Sequence, residues 1–445
     1  MGEKKAPVGM LSDALSRFDV IFAAITCMVP LGLVYLITSY FSDEIVARSL
    51  GGRWFQSDGW RAYDDMVSFA ANHYRANLRP LFSLITIPST GALMAVFGLS
   101  PIKAVWVFNA ACFSAWSTAI FMTCRVIGIR AVYALSLTFL AISSAAALYW
   151  FIVPETYGLS SMFLVFMLLL AAIDARKSLG IFPWIVVGGL VAGTLISNWA
   201  ALVALSLVLK NRREAVVIST ASLALFFCAL VLQRAVFPAP ASLKLQALSG
   251  ERQYLSHEER GGLSCALMGE LVSPLLIPAA RPVGGMEPTG RRVTVQCDKS
   301  LATPTQNPSY AVAVGLWLVF LTWGCATIVR STRMRRYGLA VAAALGTQVS
   351  LHLFYGEETF LYALHFIPML MLLAAGAFLA DHRRLALCLM LALAVFAAVN
   401  NGSHLKMALT AFDSGGSDPR IAQRMDKASP TTHGSQVQDV LIPSK

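Results

Sequence analysis

The sequence predicts an all-α polytopic membrane protein with about 11 transmembrane helices. Three observations carry the prediction. Hydrophobic residues make up 57% of the 445-residue chain and charged residues only 13%, with a mean hydropathy of +0.64. Apolar runs of roughly 17 to 24 residues, the length that spans a hydrocarbon core, recur from Val20 almost to Val399. The tightest turns between these runs are basic, as expected of cytoplasmic loops.

The first run, about Val20 to Phe41, is too long for a signal-peptide core and reads as a retained first helix. Five turns then fix an expected orientation. They are "CRVIGIR" (Arg125, Arg130), "DARKS" (Arg176, Lys177), "KNRRE" (Lys210, Arg212, Arg213), "RSTRMRR" (Arg330, Arg333, Arg335, Arg336) and "DHRR" (Arg383, Arg384). Together they hold thirteen basic residues against three acids, Asp174, Glu214 and Asp381. All five are assigned to the cytoplasm with the N-terminal "MGEKK", which accounts for the +11 charge without a nucleic-acid partner. Residues 42–80, "VPETYG", the region of Asn198, residues 238–308 and "FYGEET" then face the opposite side of a cell membrane.

Parity constrains "LFSLITIPSTGALMAVFG", Leu81–Gly98. A full crossing there would invert "CRVIGIR", and Pro88, Ser89, Thr90 and Gly91 interrupt the run, so it reads as a half-helix on the extracytoplasmic side. Spans follow at about 102–124, 131–152, 157–173, 181–197, 199–210, 214–236, 309–329, 338–354, 360–379 and 385–399. The pair within 181–210 is tight for two crossings, and "VVGGLVAG" suits close helix packing there. Residues 1–400 thus form the transmembrane domain, with loops at 42–100 and 238–308. Residues 401–445, rich in Ser, Gly and Pro, read as a disordered tail. Cys265 and Cys297 share the long loop and are candidates for a disulfide, although two Cys alone do not establish proximity.

Candidate chemistry concentrates in "SDGWRAYDDMVSFAANHYRANLRP", Ser57–Pro80, which holds three Asp and three Arg. Tyr63, Met66, Val67, Ala70, Ala71 and Tyr74 fall on one helical face, opposite Asp64, Asp65, Ser68, Asn72 and Arg75, so an amphipathic surface helix is expected, capped by Ser57 or Asp58. Glu155, Glu357, Glu358, His365, Lys103 and Arg79 fall at the same end of their spans. Each has a bland reading as a helix-end or snorkelling residue. Ionisable groups gathered at one depth also suit a shared polar cavity.

In order and placement, though not in an exact motif, residues 15–400 resemble the GT-C glycosyltransferases of the mannosyltransferase and aminoarabinose-transferase type. The resemblance is carried by "SDGWRAYDDM…NHYRANLRPLF" in the first loop, by "LYWFIVPETYGLSSMFLVFMLLLA" and by "GGLVAGTLISNWAALVAL". It departs from that pattern in the spacing of Asp58 from Asp64–Asp65 and in Arg79–Pro80, where His-Pro or Pro-Pro is common. The resemblance implies inverting transfer of a sugar from a polyprenyl-phosphate donor to a glycan, lipid or protein acceptor on the extracytoplasmic face. It implies Asp65 or Asp58 as general base and Arg79, Lys103 and Arg75 at the donor phosphate. Asp64, His73, Glu155, Tyr157, Glu357, Glu358 and His365 would line the substrate pocket. A divalent metal at the first-loop acids is compatible with the spacing but not required by it. The rivals are an O-antigen-type polymerase or ligase using Arg252, His257, Arg260 and Arg281 of the long loop, a transporter or flippase, and a non-catalytic scaffold.

Overall fold

The computed structural model describes residues 17–42, 45–46, 50, 54–55, 57–73, 77–237, 262–278, 280–287, 290–297, 308–332, 334–355 and 359–413. Its helices, in chain order, are α1 (Arg17–Thr38), α2 (Gly59–Val67), α3 (Leu81–Phe97), α4 (Pro101–Val126), α5 (Ala131–Ile142), α6 (Ala145–Trp150), α7 (Tyr157–Arg176), α8 (Ile181–Thr194), α9 (Asn198–Leu209), α10 (Arg212–Val236), α11 (Gly262–Leu271), α12 (Pro308–Arg330), α13 (Arg335–Phe354), α14 (Ala363–Ala374) and α15 (Arg383–Asp413). Short 3-10 turns at Thr359–Tyr362 and Ala375–Leu379 flank α14. Strands β1 (Ala280–Glu287) and β2 (Gly290–Cys297) pair antiparallel, so the long loop carries a small β-ribbon that an all-α reading omits. The side chains of Cys265, Arg281 and Cys297 lie outside the described set.

Among the described residues, eight helical segments are long and apolar enough to cross a membrane: α1, α4, α7, α10, α12, α13, Thr359–Leu379 and α15. Four more, α3, α5, α8 and α9, are apolar but shorter. The expected span at 131–152 is broken where Ser144 leaves the helix and caps α6, accepting the Ala147 amide at 3.2 Å. Segment 181–210 is a hairpin of 14- and 12-residue helices, about 21 and 18 Å long, so neither half alone matches a core of about 30 Å. Its glycines let helices touch. A Cβ on Gly188 would collide with Ser222 Oγ, and one on Gly193 would collide with the Leu81 side chain. The hairpin tip donates the Ile196 amide to Leu78 O at 3.1 Å, which ties the first loop to α8 and α9.

α3 is one continuous 17-residue helix through Pro88. It ends at Gly98, whose φ of +63° suits a residue without Cβ, and Pro101 starts α4 at once. Thr86 and Thr90 of α3 donate to the Asp65 and Met66 carbonyls, clamping α2 onto α3. The amphipathic helix expected to reach Tyr74 stops at Val67, because Ser68 turns extended and His73 takes a left-handed φ of +46°. Asp58 occupies the cap position of α2 without a side-chain capping bond; its carboxylate pairs with Arg61 instead.

The last helix also departs from expectation. α15 runs to Asp413, past the boundary at 400, and residues 414–445 lie outside the described set. Asn400 and Asn401 are buried clamps within it. Asn400 Nδ2 donates to Ile277 O at 2.9 Å, and Asn401 Nδ2 donates to Leu275 O at 2.8 Å and Ser143 O at 3.0 Å. A segment after α11 is thereby sewn into the α5–α6 break.

Contacts sort the turns into two ends of the bundle. At the basic end, Arg125 pairs with Asp19 on α1 and Arg336 Nη2 donates to Leu209 O at 2.7 Å. Lys210 Nζ reaches Asp174 Oδ1 at 2.7 Å and Leu179 O at 2.6 Å. The side chains of Lys210 and Asp174 are each only 3% exposed. Breaking a buried pair strands a charge at a cost of about 3–5 kcal/mol, whereas replacing both partners does not. Lys210→Met should therefore lower unfolding free energy in detergent micelles by about that amount. Lys210→Met combined with Asp174→Leu should recover most of the loss, as checked by denaturant titration.

Candidate functional site

At the opposite end the first loop meets the 153–157 turn. Glu155 is buried, because the turn packs beneath the first loop. Its Oε1 accepts the Asp58 amide at 2.6 Å and its Oε2 accepts the Thr156 amide at 3.0 Å. One carboxylate thus fixes both Asp58 and the start of α7. Arg79 is 5% exposed and crosses to the same turn. Its Nη1 donates to Thr156 Oγ1, its Nη2 donates to Tyr157 OH at 3.4 Å, and the guanidinium lies 5.2 Å from the Tyr157 ring centroid. No acid neutralises it in these contacts; hydroxyls and a ring face hold it, and its Nε has no partner among the described residues.

From Tyr157 a chain of rings continues inward. Tyr157 packs edge-on against His365 at 5.6 Å and against Tyr362 at 5.6 Å. Ser160 Oγ lies 2.9 Å from His365 Nε2. Tyr362 stacks on His352 at 3.9 Å. Beside this chain lies a cavity of about 1030 Å³. Trp199 and Leu195 form part of one wall, Leu351 and Phe354 part of another, and Arg79 and His352 supply its ionisable groups. Such a space suits an apolar chain bearing an anionic head.

A second cluster lies under α2. His73 Nδ1 is 3.2 Å from Asp65 Oδ1 and 2.9 Å from Ser83 Oγ, and the imidazole packs on Phe237 at 4.2 Å. A carboxylate accepts but does not donate, so Nδ1 is the donor in this pair. Nε2 is buried with no partner among the described residues. These contacts hold His73 in its left-handed backbone. Burial, then the Asp64 charge, push the nearby Tyr63 hydroxyl up to about 12.

The expected residues are thus partly gathered. Asp58 meets Glu155 through its amide, and Arg79 meets Tyr157 two residues on in the same turn, with His365 behind Tyr157. Asp65 and His73 form their own cluster, and Asp65 is buried although helical periodicity puts it on the polar face with Asp64. Asp64 is exposed, and Lys103 is exposed in the first turn of α4 with no hydrogen bond or ion pair among the described residues. Arg75, Glu357 and Glu358 lie outside the described set, as do Arg252, His257 and Arg260. Among the described residues no three His, Cys, Asp or Glu side chains converge to hold a metal ion.

Three buried polar residues were missed. His352 gave no signal beyond a lone His in an apolar run. Gln348, whose Nε2 donates to Asn198 Oδ1 at 3.2 Å, was equally silent. Glu270, in α11, is fully buried and neither carboxylate oxygen has a partner among the described residues. Its helix packs on α13, α14 and the 359–362 turn. No protein-family model, no curated protein and no solved structure matches the chain.

Burial pushes the Glu270 carboxyl up to about 8. The folded state then holds a proton that the unfolded chain releases near the ordinary value of 4.5, so its contribution to stability is full below that pH and is lost as pH rises to about 8. Melting temperature in detergent should fall across this window in the wild type. Glu270→Gln should flatten that fall and be the more stable protein at pH 9, as read by thermal unfolding from pH 5 to pH 9.

Proposed function

We propose that this chain is an integral membrane glycosyltransferase that moves a sugar from a polyprenyl-phosphate donor to an acceptor hydroxyl, with inversion, at the end opposite the basic turns. The observation that supports this reading is Arg79, a buried guanidinium with no carboxylate partner among the described residues, lining a largely apolar cavity of about 1030 Å³. An isoprenoid chain would lie along Leu195, Trp199, Leu351 and Phe354, with its phosphate against Arg79. In this topology the five basic turns are cytoplasmic by the positive-inside rule. Segment 131–150 and the two arms of the α8–α9 hairpin, which would cross only where the bilayer thins around them, join the eight long segments to give 11 crossings, and α3 does not cross.

The acceptor oxygen attacks the anomeric carbon from the face opposite the phosphate. The carbon–oxygen bond to phosphate breaks with its electron pair, and a carboxylate takes the acceptor proton. Asp58 is the proposed base. Its amide is pinned by Glu155, adjacent in sequence to the Thr156 that holds Arg79, and its side chain is 42% exposed and so open to an acceptor. Asp65 is the proposed positioning residue, since its carboxylate is engaged by His73 inside the loop. Arg79 stabilises the charge that gathers on the leaving phosphate. Glu155, Tyr157 and His365 shape the site behind it.

Asp58→Asn should lower transfer from a labelled lipid-phosphate sugar by about 10²- to 10⁴-fold with little change in donor affinity. Arg79→Met should weaken donor binding as well as turnover. Asp65→Asn should act mainly through stability, with residual activity well above that of Asp58→Asn. Full activity of Asp58→Asn in a membrane transfer assay would rule out the proposed base.

A further inference from the structure

A second concave site lies at the basic end, away from the cavity above. A pocket of about 470 Å³ is lined by Arg130, Tyr133, Asp381, His382, Arg383, Arg384 and Leu385. Three arginines and a histidine face one carboxylate. At the same end three cations have partners inside the protein, Arg125 with Asp19, Lys210 with Asp174, and Arg336 with the last carbonyls of α9, whereas exposed Arg212 and Arg213 have none among the described residues. Here Arg130, His382 and Arg384 have no side-chain hydrogen bond or ion pair among the described residues, and Arg383 reaches only Ala380 O at 3.2 Å. The pocket is firmly built, since Tyr133 stacks on Phe378 at 5.1 Å with the rings 8° from parallel.

The position of these cations adds a second argument. Arg383 and Arg384 open α15, a 31-residue helix whose first amides have no acceptor within the helix. That terminus is the positive end of the helix dipole, so cations there are of the disfavoured sign. An anion in the pocket would reverse the conflict, accepting from free amides and guanidinium groups together. Phosphate, with several acceptor oxygens, fits this donor set. Leu385 and Val132 beside the pocket are both 55% exposed, which supplies apolar surface next to the charged head.

We propose that the pocket between the start of α5 and the start of α15 binds the phosphate of an anionic phospholipid headgroup, with the acyl chains along Val132 and Leu385. The site is independent of the proposed sugar transfer. It ties α15 to α5 on the side that the positive-inside rule assigns to the cytoplasm, where basic pockets between helices meet anionic lipid.

The test uses the full-length protein in neutral detergent, titrated separately with dioleoylphosphatidylglycerol, dioleoylphosphatidylcholine and inorganic phosphate. Retained lipid is followed by native mass spectrometry and stability by melting temperature. Phosphatidylglycerol should be retained in preference to phosphatidylcholine and should raise the melting temperature. Arg130→Gln combined with Arg384→Gln should weaken that retention by about tenfold or more. Arg212→Gln combined with Arg213→Gln, which changes two cations at the start of α10, should leave it intact. A matching melting temperature without lipid shows that each variant is folded. Equal loss in both double variants, or equal retention of the two lipids, would overturn the proposal. Saturation by inorganic phosphate with no retention of phosphatidylglycerol would overturn the assignment to lipid.

Discussion

Arg79 is a full positive charge that the fold keeps almost wholly out of water, and much of the loop end is arranged around that constraint. A buried guanidinium is costly unless hydrogen bonds compensate for lost water. Here Thr156 and Tyr157 each take one bond from the terminal nitrogens, which fixes the turn before α7, while Nε has no partner among the described residues. Glu155 sits one residue earlier and spends its two oxygens on the amides of Asp58 and Thr156. The 58–79 stretch of the first loop is therefore bolted to the turn before α7 at both ends, by Asp58 and by Arg79. The adjacent Leu78 carbonyl takes the amide at the hairpin tip, so α8 and α9 are held by the same stretch of chain. Loss of the Arg79 guanidinium would remove its bonds to Thr156 and Tyr157, while the bonds of Glu155 and of the Leu78 carbonyl do not run through it.

The same logic explains the interrupted helices. α5, α8 and α9 are too short to span a bilayer alone, and irregular backbone within an apolar phase needs partners from the protein. Each break has them. Asn401 serves the carbonyl of Ser143 at the end of α5, and Gln348 serves Ser197 O and Asn198 Oδ1 at the start of α9. The breaks open space between α9 and α13, which is where the large cavity lies. The proposed donor site is thus a consequence of helices that stop short, with polar side chains from neighbours closing the backbone account.

Much of this was legible from residue order. Basic turns marked one end of the bundle, and Arg125, Lys210 and Arg336 do share that end. The glycines of "VVGGLVAG" announced close packing, and Gly188 and Gly193 leave no room for a Cβ. Placing acids at span ends brought Asp58 and Glu155 together. What failed did so for physical reasons. Helical periodicity said nothing of Asp65 turning inward, because a partner eight residues on, in a left-handed backbone, leaves no periodic trace. Asn400 and Asn401 looked like the start of a tail because polar residues in sequence do not reveal that a distant segment, 275–277, will use them. Glu270, His352 and Gln348 are single polar residues in apolar runs, and only packing decides whether such a group is exposed or sealed in.

The claim that the cavity headed by Arg79 receives a lipid phosphate is tested most directly by photo-crosslinking. A polyprenyl phosphate carrying a diazirine on its isoprenoid chain would be irradiated with the full-length protein in nanodiscs, and the labelled peptides sequenced. Labelling concentrated in 195–200 and 343–355, suppressed by excess unlabelled polyprenyl phosphate and by Arg79→Met, is the predicted result. Labelling spread over the lipid-facing helices, or unchanged by Arg79→Met, would contradict the account.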